Sequence, residues 1–127
     1  MEYDTARKGG LYAIGINEDD ELINVSLTDG SQEVFIATQK GKSIRFKETD
    51  VRPMGRTAHG VRGIDLAEDD TVIGCEVVKA DANMLIVTKK GYGKITEIGQ
   101  YKVQSRAGKG VKTYKITEKT GEIAGVI

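Results

Sequence analysis

The sequence predicts an all-β fold in which a four-stranded unit recurs about every 50 residues, and three observations carry that prediction. The first is internal repetition. Shifting the 127-residue chain by 50 places Val34-Phe35-Ile36-Ala37-Thr38-Gln39-Lys40-Gly41 on Met84-Leu85-Ile86-Val87-Thr88-Lys89-Lys90-Gly91, and Gly60 to Glu68 on Gly110 to Glu118, with an earlier copy at Gly10 to Asp20. The second is a hydrophobic period near two, as in Leu11, Ala13, Ile14 and Ile16 and again in Val61, Ile64 and Leu66, which is the signature of strands. The third is composition. Sixteen glycines stand against one proline, Pro53, which suits short strands joined by tight turns.

Within one repeat the strands fall at 11–17, 22–27, 34–38 and 43–47. They are separated by turns at Glu18-Asp19-Asp20, Asp29-Gly30 and Lys40-Gly41, and a linker of about a dozen residues leads to the next copy. No window repeats apolar residues at three-and-four spacing beneath a cap, so no helix is expected. Four short antiparallel strands per unit describe a propeller blade. The copies run near 1–32, 33–82 and 83–127, about two and a half blades, whereas propellers close with roughly four to eight. The chain ends at Ala124-Gly125-Val126-Ile127, where earlier copies are in mid-strand. The expectation is a piece of a larger domain, or one that completes itself by strand exchange or oligomerisation.

Composition excludes several classes. Lys and Arg total 19, as do Asp and Glu, and 39% of residues are hydrophobic, so the chain reads as globular with no net charge to advertise a partner. No apolar run reaches the roughly 20 residues of a membrane span, and Met1 to Lys8 carry no apolar signal core. A single cysteine, Cys75, rules out a disulfide framework or a multi-cysteine zinc site and suits a reducing cytoplasm. It lies inside an apolar strand and reads as packing.

The short motifs that resemble catalytic ones fail on spacing. Gly41-Lys42-Ser43 ends like a phosphate-binding loop, but Ile36 stands where the first glycine belongs, and Gly91-Tyr92-Gly93 is followed by Thr96 where a dinucleotide fingerprint has its third glycine. The acid runs Glu18-Asp19-Asp20-Glu21 and Glu68-Asp69-Asp70 lack the alternating ligands and glycine of a calcium loop and read as solvated turns. No metal site and no catalytic residue are expected. His59, the only histidine, aligns with Lys109 and reads as an exposed position near a basic groove.

Charge is nevertheless sorted along the chain. Residues 34–62 hold seven basic and two acidic residues, and residues 84–115 hold eight basic and one acidic. The acids collect in the turns at 18–21 and 68–70, expected at the far end of the hairpins, which would make one edge basic and another acidic. A basic stripe that recurs with a structural repeat is the footprint of a polyanion passing several blades. The candidate contacts are Arg7, Lys8, Lys40, Lys42, Arg45, Arg56, Arg62, Lys89, Lys90, Lys94, Gln104, Arg106, Lys109 and Lys112. The densest is Gln104-Ser105-Arg106-Ala107-Gly108-Lys109-Gly110, where glycines expose backbone amides beside two cations. On this reading Arg106 and Lys109 are surface-exposed, and replacing both with Ala should hardly change stability.

That segment and the repeats resemble the C-terminal DNA-wrapping domain of the A subunit of bacterial DNA gyrase. The family's Gln-Arg-Arg-Gly-Gly-Lys-Gly box is matched at Gln104, Arg106, Gly108, Lys109 and Gly110, with Ser105 and Ala107 departing. Lys42 to Phe46, Val51 to Arg56, Gly60 to Ile64 and Gly91 to Lys94 are also similar to that domain, so the resemblance covers essentially the whole chain. It implies a β-pinwheel whose neighbouring blades exchange strands, binding double-stranded DNA without strong sequence preference and bending it around a basic rim. The imperfect box suggests a later blade than the one carrying the full motif. In the intact type IIA topoisomerase such a domain would serve negative supercoiling in the bacterial cytoplasm, associated with the nucleoid. Its partners would be the gyrase A N-terminal domain and the gyrase B protein. ATP and Mg would bind only elsewhere in the enzyme, with no cofactor in this chain. The corresponding domain of topoisomerase IV is the alternative within the family. A protein-interaction propeller docking through its acidic turns is the alternative from another class.

Overall fold

A computed structural model describes residues 14–54, 58, 60–79 and 81–127. Arg7, Lys8, Arg56, His59 and the first part of the expected 11–17 strand lie outside the described residues, and its described part, 14–17, forms no strand. Among the described residues eight strands occur: β1 (Glu33–Thr38), β2 (Lys42–Lys47), β3 (Val72–Val78), β4 (Asn83–Thr88), β5 (Gly93–Glu97), β6 (Val103–Gln104), β7 (Val111–Lys112) and β8 (Ile123–Val126). The only helical elements among the described residues are two three-residue 3-10 turns, Glu48–Asp50 and Ile98–Gln100, one after each hairpin.

The 50-residue register is kept in space. β1 and β2 form an antiparallel hairpin with Ile36 opposite Ile44, and β4 and β5 form the same hairpin with Ile86 opposite Lys94. Both turns are built alike. The amide of Gly41 donates to the carbonyl of Thr38 at 3.2 Å and the amide of Lys42 to the Thr38 hydroxyl at 3.0 Å. Gly91 and Tyr92 repeat this on Thr88 at 3.0 and 3.1 Å. Each glycine sits near φ +90°, a conformation strained for any residue with a Cβ.

Sheet one runs β3-β1-β2, and the outer edge of β2 is completed by the third repeat. There β6 pairs parallel with Arg45 and Phe46, and β7 pairs antiparallel with Lys42 and Ser43. Sheet two is β5-β4-β8. Neighbouring units therefore exchange strands, and the later copy finishes the earlier one. The exchange depends on Gly41, where a Cβ would collide with the carbonyl of Tyr114, and on Gly110 (φ +78°), where it would collide with the carbonyl of Ser43. Their register mates Gly91 and Gly60 have the same handedness but nothing within 4 Å. Gly91→Ala should thus cost about 1–2 kcal/mol for its dihedral alone. Gly41→Ala should cost a further 1–3 kcal/mol or so for the collision. Urea unfolding of the two variants measures this, and equal losses would mean that the third repeat does not close on the first hairpin.

β1 is apolar on both sides because both sides are covered. Phe35 and Ala37 face sheet two, in a core with Met84, Ile86, Ile98, Tyr101, Ile123 and Val126. Val34 and Ile36 face the other way, onto a second cluster built on Ile44, Phe46 and Ile64. Gly63 permits that second packing, since a Cβ there would come within 2.7 Å of Ile36 Cδ1.

The expected strand at 22–27 is absent. This segment corresponds to β3, which is a strand because β1 lies beside it; among the described residues 22–27 has no such neighbour. Leu22, Ile23, Val25 and Leu27 are accordingly exposed, and the segment is held by isolated contacts rather than a strand ladder, as where the Asn24 side-chain amide donates to the carbonyl of Cys75 in β3. Likewise 61–66 and 111–116 are mostly irregular, contributing the Ile64–Gly108 bridge and β7.

Candidate nucleic-acid interface

Strand exchange brings cations from two repeats together. Lys42 of β2 lies directly opposite Lys112 of β7. Like charges across a strand pair are unfavourable unless something negative sits over them. Lys109, two residues before β7, joins Lys42 in lining a cleft of about 360 Å³ whose floor is Thr38, Ile64, Leu66 and Ala67. All three lysines are exposed. Two carboxylates also line the cleft, but both are engaged. Asp65 lies 3.9 Å from Arg62, and Asp70, only 8% exposed, accepts hydrogen bonds from the amides of Lys40 and Thr71 at 3.0 and 2.9 Å. Among the described residues no ion pair involves Lys42, Lys109 or Lys112.

The other candidates are placed differently. Arg45 is turned into the fold: 14% exposed at its side chain, it pairs with Glu33 and donates to the carbonyls of Ile98 and Tyr101 at 2.8 and 3.0 Å. Diagonal placement on one face of the hairpin explains the pair, since Arg45 stands opposite Phe35, two residues beyond Glu33. Arg106 is half-buried and likewise donates to carbonyls, those of Asp50 and Arg62, each at 3.0 Å. Gln104 is half-buried in β6 opposite Phe46. Arg62 and Lys94 are exposed. Lys89 lies 3.8 Å from Glu122, and the Lys90 ammonium donates to the carbonyl of Glu118.

These placements correct three expectations. The acidic turns do not lie at the far end of the hairpins. The 68–70 turn abuts Lys40 through Asp70, and the 118–122 turn abuts Lys89 and Lys90, so acidic and basic turns share the same end of each hairpin. Nor is Asp70 a solvated turn residue, since its buried carboxylate holds the mouth of the β1–β2 turn. The Arg106 side chain is a tie between repeats rather than a free surface cation, which removes the ground for expecting its loss to be neutral. A signal for Asp70 existed in the register, where Thr120 is its mate and bonds its own turn through Thr117.

Among the described residues two titratable groups are displaced from their ordinary behaviour. Burial, with the neighbouring Glu76 charge adding, pushes the Cys75 thiol up, which keeps it protonated and unreactive. The amide and hydroxyl of Ser31 hold the exposed Asp29 carboxyl below its usual range in a local turn. Neither group adjoins the lysine cleft. No group of three or more His, Cys, Asp or Glu among the described residues could hold a metal, and no described helix is long and apolar enough to cross a membrane.

The sequence matches the family described as DNA gyrase C-terminal domain, beta-propeller, over residues 2–29, 32–79 and 82–127, three segments that follow the internal repeat. The chain belongs to this family. Among curated relatives, the gyrase A protein of Salmonella typhimurium is 46% identical over 126 residues, and that of Staphylococcus epidermidis is 48% identical over 118. The chain covers 14% and 13% of those relatives, a small part of each. Two solved structures share the fold. The C-terminal domain of DNA topoisomerase IV superposes with a TM-score of 0.91 at 28% identity over 99% of this chain and 40% of its own, and a DNA gyrase A C-terminal domain with 0.86 at 29% over 94% and 41%. The structures do not separate the two enzymes, whereas both sequence relatives are gyrase A proteins. The beta-propeller description of that family agrees with the repeated all-β units described above.

Proposed function

We propose that this gyrase C-terminal-type domain binds duplex DNA without strong sequence preference and bends it, as a non-catalytic part of a type IIA topoisomerase that negatively supercoils DNA. The observation that carries this reading is the cross-strand pair of Lys42 and Lys112 with Lys109 beside it, three cations drawn from two repeats and left without carboxylate partners among the described residues. A phosphate backbone supplies the missing negative charge, and lysine suits it as a point charge that needs no base recognition. Lys94, on β5 of sheet two, is a further exposed cation. Within the larger enzyme the gyrase A N-terminal domain and the gyrase B protein would be the partners, with ATP and Mg bound there, in the bacterial cytoplasm at the nucleoid.

Phosphate contacts release counterions, so log affinity falls linearly with log salt. With about four to six phosphates engaged the slope should be roughly −4 to −5 at about 0.9 per contact. Titration of random-sequence and defined duplexes by fluorescence anisotropy at several salt concentrations tests this. A flat slope, or strong preference for one sequence, would reject the reading in favour of another function.

A further inference from the structure

Two arginines cross the junction between the repeats in opposite directions. Arg45, in the second repeat, reaches the carbonyls of Ile98 and Tyr101 in the third. Arg106, in the third, reaches the carbonyls of Asp50 and Arg62 in the second. Asp50 ends one 3-10 turn, and the Ile98–Gln100 turn is its mate in the 50-residue register. Each guanidinium thus fastens onto the 3-10 turn of the opposite repeat, Arg106 on the carbonyl of Asp50 at its end and Arg45 on those of Ile98 and of Tyr101 just past its end. Around Arg106 the tie is continued by the main chain, with the Ala107 amide donating to the Gly63 carbonyl at 2.6 Å and the Asp65 amide to the Gly108 carbonyl at 2.7 Å. Ala107 is held at φ +68° within this seam, a conformation that persists in a non-glycine residue only where its surroundings enforce it.

Arg106 divides its two carbonyls between Nε and Nη1, and Arg45 holds Glu33 on Nε while Nη1 takes both carbonyls, a planar fork that the single nitrogen of an ammonium cannot reproduce. Both arginines direct their donors into the protein rather than toward the lysine cleft. We propose that Arg45 and Arg106 form a reciprocal clasp that fixes the angle between the two repeats and, through that angle, the sharpness with which a bound duplex is bent. On this view Arg106 is a positioning residue and not a phosphate contact. The second half of the proposal rests on the DNA-binding reading above, whereas the clasp itself does not.

The test therefore has one arm without DNA. In the full chain with Cys75→Ser, spin labels at Lys47→Cys and Lys94→Cys report the distance between β2 and β5. The distance distribution should broaden in Arg106→Ala and equally in Arg106→Lys, and should be unchanged in Lys109→Ala. Arg45→Lys, which keeps a charge for Glu33 but loses the fork, is the second variant and should broaden it as well. In the DNA arm, energy transfer between the ends of a labelled duplex should fall alike in Arg106→Ala and Arg106→Lys. The salt slope should stay within about half a unit of the parent's, whereas Lys109→Ala should lose about one unit. If Arg106→Lys keeps the parent distance distribution and bend while Arg106→Ala loses about a unit of slope, Arg106 is a phosphate contact and the clasp is rejected. If the parent chain fails to bind DNA, the DNA-binding reading falls, and the label distances still decide the clasp.

Discussion

Changing Lys42, Lys109 and Lys112 together to Ala should weaken binding to random duplex DNA by roughly two to three orders of magnitude at about 0.1 M salt, with the salt slope shallower by about 2.7 units. Each lost phosphate contact removes about 0.9 of slope, which is nearly one decade of affinity between about 1 M and 0.1 M salt. The fold should not suffer. All three side chains are exposed, and their removal relieves the repulsion between Lys42 and Lys112 across β2 and β7. Lys89→Ala is the comparison, because Lys89 is already partly neutralised by Glu122 and should change the slope by less than about half a unit. An unaltered slope in the triple variant would show that DNA, if bound, passes elsewhere.

The largest loss of stability is expected at Phe35. Its ring has no exposed surface and meets Tyr101 edge to face at 4.8 Å, and Tyr101 is itself anchored by its hydroxyl to Thr113 at 2.5 Å. Phe35 is thus the central apolar contact between sheet one and the third repeat. Phe35→Ala removes the burial and leaves a cavity that the flanking sheets cannot fill, at a cost of about 3–5 kcal/mol. Val87, on the outward face of β4 and one third exposed, corresponds to Ala37 in the repeat, so Val87→Ala should stay within about 0.5 kcal/mol. Chemical denaturation distinguishes them. A loss below about 1 kcal/mol at Phe35 would mean that the two sheets do not share a core.

What sequence reasoning could see was whatever depends on local pattern. The hairpins at 34–47 and 84–97 were legible because alternating apolar residues and a Thr-x-x-Gly turn are short-range signals, and both recur at a spacing of 50. The segment at 22–27 has the same apolar pattern as 72–77, yet a strand is a property of a pair, and the pattern does not say whether a partner is present. The interface was legible as charge and illegible as geometry. Lys42 and Lys112 are 70 positions apart, and only the exchange of β7 onto β2 makes them neighbours. For the same reason Arg45 and Arg106 looked like free cations. Carbonyl acceptors are present at every residue and carry no mark in the sequence, so a guanidinium turned inward cannot be told from one turned outward until the fold supplies the direction. The acidic turn misled because composition alone could not distinguish Asp69, exposed at φ +66°, from Asp70, buried beside it.

The hand-back of strands from one repeat to the one before gives synthesis a direction. β2 emerges with residues 42–47, but the strands that cover its outer edge are 103–104 and 111–112, about sixty positions later. At roughly 5–20 residues per second the ribosome leaves that edge bare for about 3–12 seconds. During that interval Ile44 and Phe46 have their own hairpin beside them but not the loop that will cover them. A nascent chain further along on a neighbouring ribosome would then offer the very strands that an earlier one awaits, and a pause in translation after residue 50 would lengthen the exposure. Slowing codons placed just after residue 112, rather than before it, would let each unit close on its own successor before another begins.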